Sequence, residues 1–139
     1  MPTQVALPDA GWRELLDCAL GARQRARAPF SYFQVGAAVC ASDGRLFGGC
    51  NIENASYGLT VCAERVALWK ALSEGAAGFT RLAVVADSPQ LTPPCGACRQ
   101  LIWEFCGEIP LLLADLQGRW ELASSRELLP RAFDAGFLT

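Results

Sequence analysis

Histidine is absent from all 139 residues, which removes the commonest general base and the commonest nitrogen ligand from any mechanism the chain could run. A metal held here must be held by thiolates or carboxylates. Lysine occurs once, as Lys70, and the other basic residues are arginine. No uninterrupted apolar stretch approaches the roughly 20 residues a membrane helix needs, so no membrane is expected as a partner. The opening Met1-Pro2-Thr3-Gln4 has no basic segment leading into an apolar run, so no export leader is expected. Excess positive charge is missing too. A formal net charge of -2 at pH 7 disfavours a grip on polyphosphate backbones, so no nucleic acid is expected and a small uncharged substrate fits better.

What is present is enough apolar material for one domain spanning 1-139, with 52% hydrophobic and 19% charged residues and a length that can bury a real core. Seven cysteines are an odd number, and three of them have metal-ligand spacing. A reduced, cytoplasmic setting fits this better than a disulfide framework. Trp12, Leu15, Leu16, Ala19 and Leu20 recur at spacings of three and four, which predicts a helix from about Gly11 to Ala26, starting at Asp9 or Ala10. Its end carries Arg23, Arg25 and Arg27, read as a solvated helix terminus favoured by the macrodipole. Gln34–Cys40 and Leu46–Cys50 read as antiparallel strands joined by the Asp43-Gly44 turn.

After a polar loop, Asn51 to Tyr57, a helix is expected over Cys62–Leu72 with Thr60 as its cap. Next come a strand over Arg81–Ala86, a helix over Cys95–Phe105 and a fully apolar strand over Ile109–Ala114, expected to be central. A weaker strand around Arg119–Leu122 and a short helix over Ser125–Leu129 complete the chain. The order α-β-β-α-β-α-β-β-α specifies an α/β fold with one mixed five-stranded sheet covered by helices.

The chemistry concentrates in Cys62-Ala63-Glu64-Arg65 and, 33 positions on, Pro94-Cys95-Gly96-Ala97-Cys98-Arg99-Gln100. Three thiolates, an open fourth position and an adjacent carboxylate are what a catalytic zinc site needs. Both cysteine segments sit at helix N-termini, which lower thiol pKa values. Three thiolates on one Zn2+ leave a formal charge of -1, and Arg65 is placed to offset it by donating to a ligand sulfur. Two other readings exist for parts of this pattern. A Cys-x-x-Cys pair can be a redox dithiol or half of a structural zinc knot, for which Cys50 and Cys106 are the available fourth ligands. Cys18, Cys40, Cys50 and Cys106 are otherwise read as small buried apolar residues.

Cys62-x-Glu64 followed by Pro94-Cys95-x-x-Cys98 resembles the zinc-dependent deaminase signature in an all-cysteine form. Phe33-Gln34-Val35-Gly36-Ala37-Ala38 and Gly49-Cys50-Asn51-Ile52-Glu53-Asn54-Ala55 extend that likeness to the homotetrameric cytidine deaminases over nearly the whole chain. The resemblance implies a three-layer α-β-α sandwich and hydrolytic deamination of cytidine and 2'-deoxycytidine in pyrimidine salvage. It implies one zinc per subunit on Cys62, Cys95 and Cys98, with Glu64 as proton shuttle and Arg65 behind the ligands. Asn51 and Glu53 would then bind the ribose 3'-hydroxyl, with Ile52 between them. Phe33 would pack on the pyrimidine, and the Ala63 backbone would hold the ring carbonyl. Tyr57 and Phe133 match aromatic positions that neighbouring subunits contribute to a shared site. The blasticidin S deaminases share the zinc motif and are the nearest alternative. A zinc-braced binding protein is the alternative of a different class.

Overall fold

The computed structural model describes residues 6–138; the expectation of no leader at Met1 to Gln4 lies outside them. Helix α1 (Ala10–Arg23) starts where Asp9 caps it, the carboxylate accepting from the Trp12 amide at 3.1 Å. The same carboxylate pairs with Arg81, whose guanidinium lies 4.9 Å from the centre of the Trp12 ring. The helix stops three residues short of the expected Ala26. Arg23 is not simply a solvated charge at that end: its Nε donates to the Gln34 carbonyl at 3.1 Å and pins the entry to the sheet.

Strands β1 (Val35–Ala41) and β2 (Leu46–Cys50) form the expected antiparallel hairpin, with Gly44 at φ 92° in its turn. Helix α2 (Ala63–Ser73), strand β3 (Phe79–Ala86), helix α3 (Gly96–Cys106), strands β4 (Pro110–Ala114) and β5 (Trp120–Ser124) and the short helix α4 (Ser125–Leu128) follow. The sheet order is β2-β1-β3-β4-β5, with only the β3–β4 pair parallel, bridged by α3. The central strand is therefore β3, and the expectation of a central β4 is corrected. Leu111 and Leu113 of β4 face one core and Leu112 and Ala114 the other. Its apolar run records two covered faces, which a strand one place in from the edge can also have.

Alternation of period two divides the sheet between two cores. On one face Ala38, Ala83, Val85 and Leu112 pack against Trp12, Leu15, Leu16 and Ala19 of α1. On the other Ala37, Val39, Leu82, Val84 and Leu111 pack against Ala67, Leu68 and Ala71 of α2 and Ile102 of α3. Each fully buried Val or Leu side chain contributes about 1.5–3 kcal/mol. The result is the α-β-α sandwich. Helix α2 approaches β2 so closely that a Cβ on Gly49 would lie 2.4 Å from the Ala67 amide nitrogen and 2.6 Å from the Ala63 carbonyl. Only glycine admits that approach, and it sets the height of the α2 N-terminus over the sheet.

Candidate active site

The N-termini of α2 and α3 meet at one end of the sheet. Cys62 and Cys95 are the N-cap residues of these helices, both in extended conformation and neither making a side-chain cap hydrogen bond. Cys98 lies in the first turn of α3. The expected boundaries are each corrected by one residue, and Thr60 is not the cap: its hydroxyl accepts from the Asn54 amide at 3.1 Å. The correction has a chemical side. An N-cap thiol that leaves the cap unmade keeps its sulfur free for another partner, while the first-turn amides, which have no carbonyl partner within the helix, stabilise negative charge there.

The Sγ atoms of Cys62, Cys95 and Cys98 all lie within 4.8 Å of one another, with Cys62 and Cys95 at 3.7 Å. A tetrahedral zinc with bonds of about 2.3 Å sets its sulfurs about 3.8 Å apart, so the donor set and its spacing fit that metal. Among the described residues Cys50 and Cys106, the candidates for a fourth ligand, do not join the cluster, so three thiolates are what this group would offer a zinc.

A hydrogen bond from Cys98, then donation from Arg65 and Cys95, outweigh burial and bring the Cys62 thiol down to about 5. Cys98 is correspondingly pushed up by its bond to Cys62, by burial and by the charge of Glu64. Arg65 Nη2 lies 3.7 Å from Cys62 Sγ and donates to the Thr60 carbonyl at 3.3 Å. Its Nε is buried without an acceptor. Glu64 is 4% exposed in the first turn of α2. Burial, reinforced by the charge of Cys62, pushes its carboxyl up to about 7 against the pull of its own backbone amide, Cys98 and Arg65.

A cavity of about 180 Å³ opens onto this cluster, lined by Phe33, Asn51, Cys62, Ala63, Glu64 and Cys95 of the expected set. Val35, Thr60, Val61, Val84, Thr92 and Pro93 complete its wall. These carried no chemical signal: Val35 and Val84 read as ordinary strand residues, and Thr92 and Pro93 as loop.

The motif, the spacing and the geometry now coincide. The chain's residues 12–111 match the family model described as the cytidine and deoxycytidylate deaminase zinc-binding region. The chain belongs to that family. Within this deaminase family it is 52% identical over 113 residues to the cytidine deaminase of Sporosarcina psychrophila, covering 81% of this chain and 83% of that one. It is 52% identical over 122 residues to the cytidine deaminase of Halalkalibacterium halodurans, covering 87% and 92%. The crystal structure of cytidine deaminase from Burkholderia pseudomallei superposes with a TM-score of 0.84 at 45% identity, covering 87% of this chain and 98% of that one. Zinc is accordingly this deaminase-family chain's cofactor, and the three-thiol cluster is the group that could hold it.

The remaining expected residues sit outside the cavity wall. Glu53 turns to the loop before β1, accepting from the Phe30 and Ser31 amides at 2.9 and 3.1 Å and from the Ser31 hydroxyl. Ile52 is 40% exposed and pairs through its backbone with Arg27 and Val61. Tyr57 is 74% exposed and meets Phe30 edge to face at 5.9 Å. Phe133 stacks on Phe137 at 5.4 Å, and its carbonyl is held by Gln100 of α3. Within one chain neither Tyr57 nor Phe133 lines the cavity.

Cys18, Cys40, Cys50 and Cys106 are half-buried, less enclosed than expected. Burial alone pushes the Cys106 thiol up to about 12, which keeps it protonated and inert near neutral pH.

Proposed function

We propose that this protein hydrolytically deaminates cytidine and 2'-deoxycytidine to uridine and 2'-deoxyuridine with release of ammonia. Cys62, Cys95 and Cys98 hold one zinc per chain in this reading. The observation that carries it is a buried carboxyl, Glu64, which with Cys62 and Cys95 of a three-thiol cluster lines a small, mostly apolar cavity. A metal that only braced a fold needs no such cavity and no such acid.

Zinc, when bound, supplies the Lewis acidity that generates a nucleophile near neutral pH. Glu64 supplies the proton traffic. A carboxyl raised to about 7 can take a proton from water and deliver it to the ring nitrogen. It can then take a second proton from the hydroxyl now on the ring carbon and hand it to the departing amine as the carbonyl forms, the behaviour an acid-base catalyst needs. Phe33 offers an apolar face to the pyrimidine, and Ala63, first residue of α2, has an amide without a partner inside the helix to bind the ring carbonyl. Asn51 and Glu53, with Ile52 between them, form the ribose end.

The same reading makes the chain a homotetramer with shared sites, acting in cytoplasmic pyrimidine salvage. Tyr57, Phe133, Phe137 and Leu138 are all exposed, an expense of apolar surface that a neighbouring subunit would recover. Seven free cysteines suit a reducing compartment.

The test is turnover on cytidine, deoxycytidine, cytosine, adenosine and blasticidin S, with and without a chelator, alongside Glu64→Gln. Uridine formation that the chelator abolishes is expected. Glu64→Gln should keep its zinc and lose about 10²–10⁴-fold in kcat. Full activity in that variant, or no activity of the parent chain on cytidine, would defeat the proposal.

A further inference from the structure

Phe33 is held in the cavity wall although the loop that carries it, Pro29 to Gln34, contains no helix or strand of its own. Its backbone is clamped on both sides. Asn51 Nδ2 donates to the Phe33 carbonyl at 2.7 Å, while Asn51 Oδ1 accepts from the Val35 amide at 2.9 Å. On the other side the Phe33 amide donates to Ser31 Oγ at 3.0 Å. That hydroxyl donates its own hydrogen bond to Glu53 Oε2, and the Ser31 amide donates to Glu53 Oε1 at 3.1 Å. One hydroxyl therefore accepts from the residue at the pyrimidine end and donates to the residue at the ribose end.

The loop holds a conformation that its sequence would not choose. Tyr32, between the two halves of this bridge, has φ 59° and is 84% exposed, a left-handed backbone that is costly for a tyrosine and that its own side chain does not offset by burial. The Ser31 bridge spans that residue as a side-chain turn of the i to i+2 kind, and Glu53 fixes the bridge from outside the loop. Glu53 is in turn tied to the chain through its amide, which donates to the Arg27 carbonyl at 2.8 Å.

We propose that Ser31 is a positioning residue of this site, fixing the spacing between the Phe33 ring and the Glu53 carboxylate so that one nucleoside meets both. The inference rests on the nucleoside reading above and goes beyond it. Ser31 touches no reacting atom; it acts by setting where its two neighbours stand. Losing the hydroxyl leaves Phe33 held by Asn51 and Glu53 by the Phe30 and Ser31 amides, with the bond that sets one against the other gone, which weakens ground-state binding and spares the proton transfers at Glu64.

The experiment compares Ser31→Ala, Ser31→Thr, Glu53→Gln and the double variant Ser31→Ala/Glu53→Gln on cytidine, with hydrogen exchange of the 30–33 segment. Ser31→Ala should raise KM about tenfold, the equivalent of one lost hydrogen bond, with kcat within about twofold of the parent. Ser31→Thr, which keeps the hydroxyl, should return KM to within about threefold. In the Glu53→Gln background the same Ser31→Ala change should add less than about twofold, because residues acting through one another are not additive. The Phe33 amide should exchange faster in Ser31→Ala. An unchanged KM, an equal fall in kcat, additive effects or unchanged exchange would each overturn the proposal. A parent chain inert toward cytidine would overturn the nucleoside reading, and Ser31's substrate role with it. The exchange measurement, which needs no turnover, then separately decides whether Ser31 holds the loop.

Discussion

At the centre of the site the sulfurs of Cys62, Cys95 and Cys98 are placed by backbone, two at N-caps and one a single turn on. Around it Phe33, in the cavity wall, and Glu53 and Tyr57, outside that wall, are placed by side-chain hydrogen bonds and edge-to-face ring contacts on loops. The centre inherits the rigidity of two helices packed on a sheet, and Gly49 fixes one of those helices against β2. The rim depends on bonds of about 1 kcal/mol each. Chemistry that tolerates no displacement is built on the first kind of support, and selectivity that must be adjustable is built on the second.

Substitutions can break that contrast. The largest effect is expected at the centre: Cys98→Ala should take zinc from one per chain to none and abolish turnover, read by metal analysis with circular dichroism to confirm folding. A chain that kept its zinc would mean the cluster is not the metal site. Arg65→Gln should be milder, weakening metal affinity about 10–100-fold as outer-shell partners do, measured by chelator competition.

At the rim Asn51→Ala removes the bonds to Phe33 and Val35 and should cost about 1–3 kcal/mol in stability while zinc stays bound. Loss of metal in that variant would show that centre and rim are one cooperative unit. The smallest effect is expected away from both. Burial of Asp115 is outweighed by bonds from Arg119 and from the Gln117 and Arg119 amides, which hold its carboxyl below the ordinary range. Its contribution is present above the unfolded pKa of about 3.9 and is lost as pH falls through the lower folded value. Wild type and Asp115→Asn should therefore converge in melting temperature on acidification, with activity at pH 7 unaltered.

The same contrast explains what could be read from the chain. Helices and strands leave periodic traces, so the element order was legible, and the spacing of Cys62, Glu64, Cys95 and Cys98 pointed to the one place where the fold brings them together. The one-residue errors at both helix starts arose because a cysteine at the N-cap makes no capping bond and so does not announce itself as Ser or Asp would. The centrality of β4 was misread because apolar content reports coverage of both faces and says nothing of rank in the sheet. Ser31, in the chain-breaking Pro29-Phe30-Ser31, left no trace beyond that break. Its importance lies in a bond to a residue 22 positions away, and contacts between a side chain and a distant loop have no period to detect.

The hairpin at Asp43-Gly44 and the turn after α2 lie together, Ser42 bonding to Gly78 and Arg45 to Glu74. The cavity is formed where β1 begins and β2 ends, so the full run of these strands, about 23 Å for seven residues, separates it from that pole. A fluorophore, affinity handle or surface tether grafted between Asp43 and Gly44 would therefore leave the catalytic end of the same chain untouched.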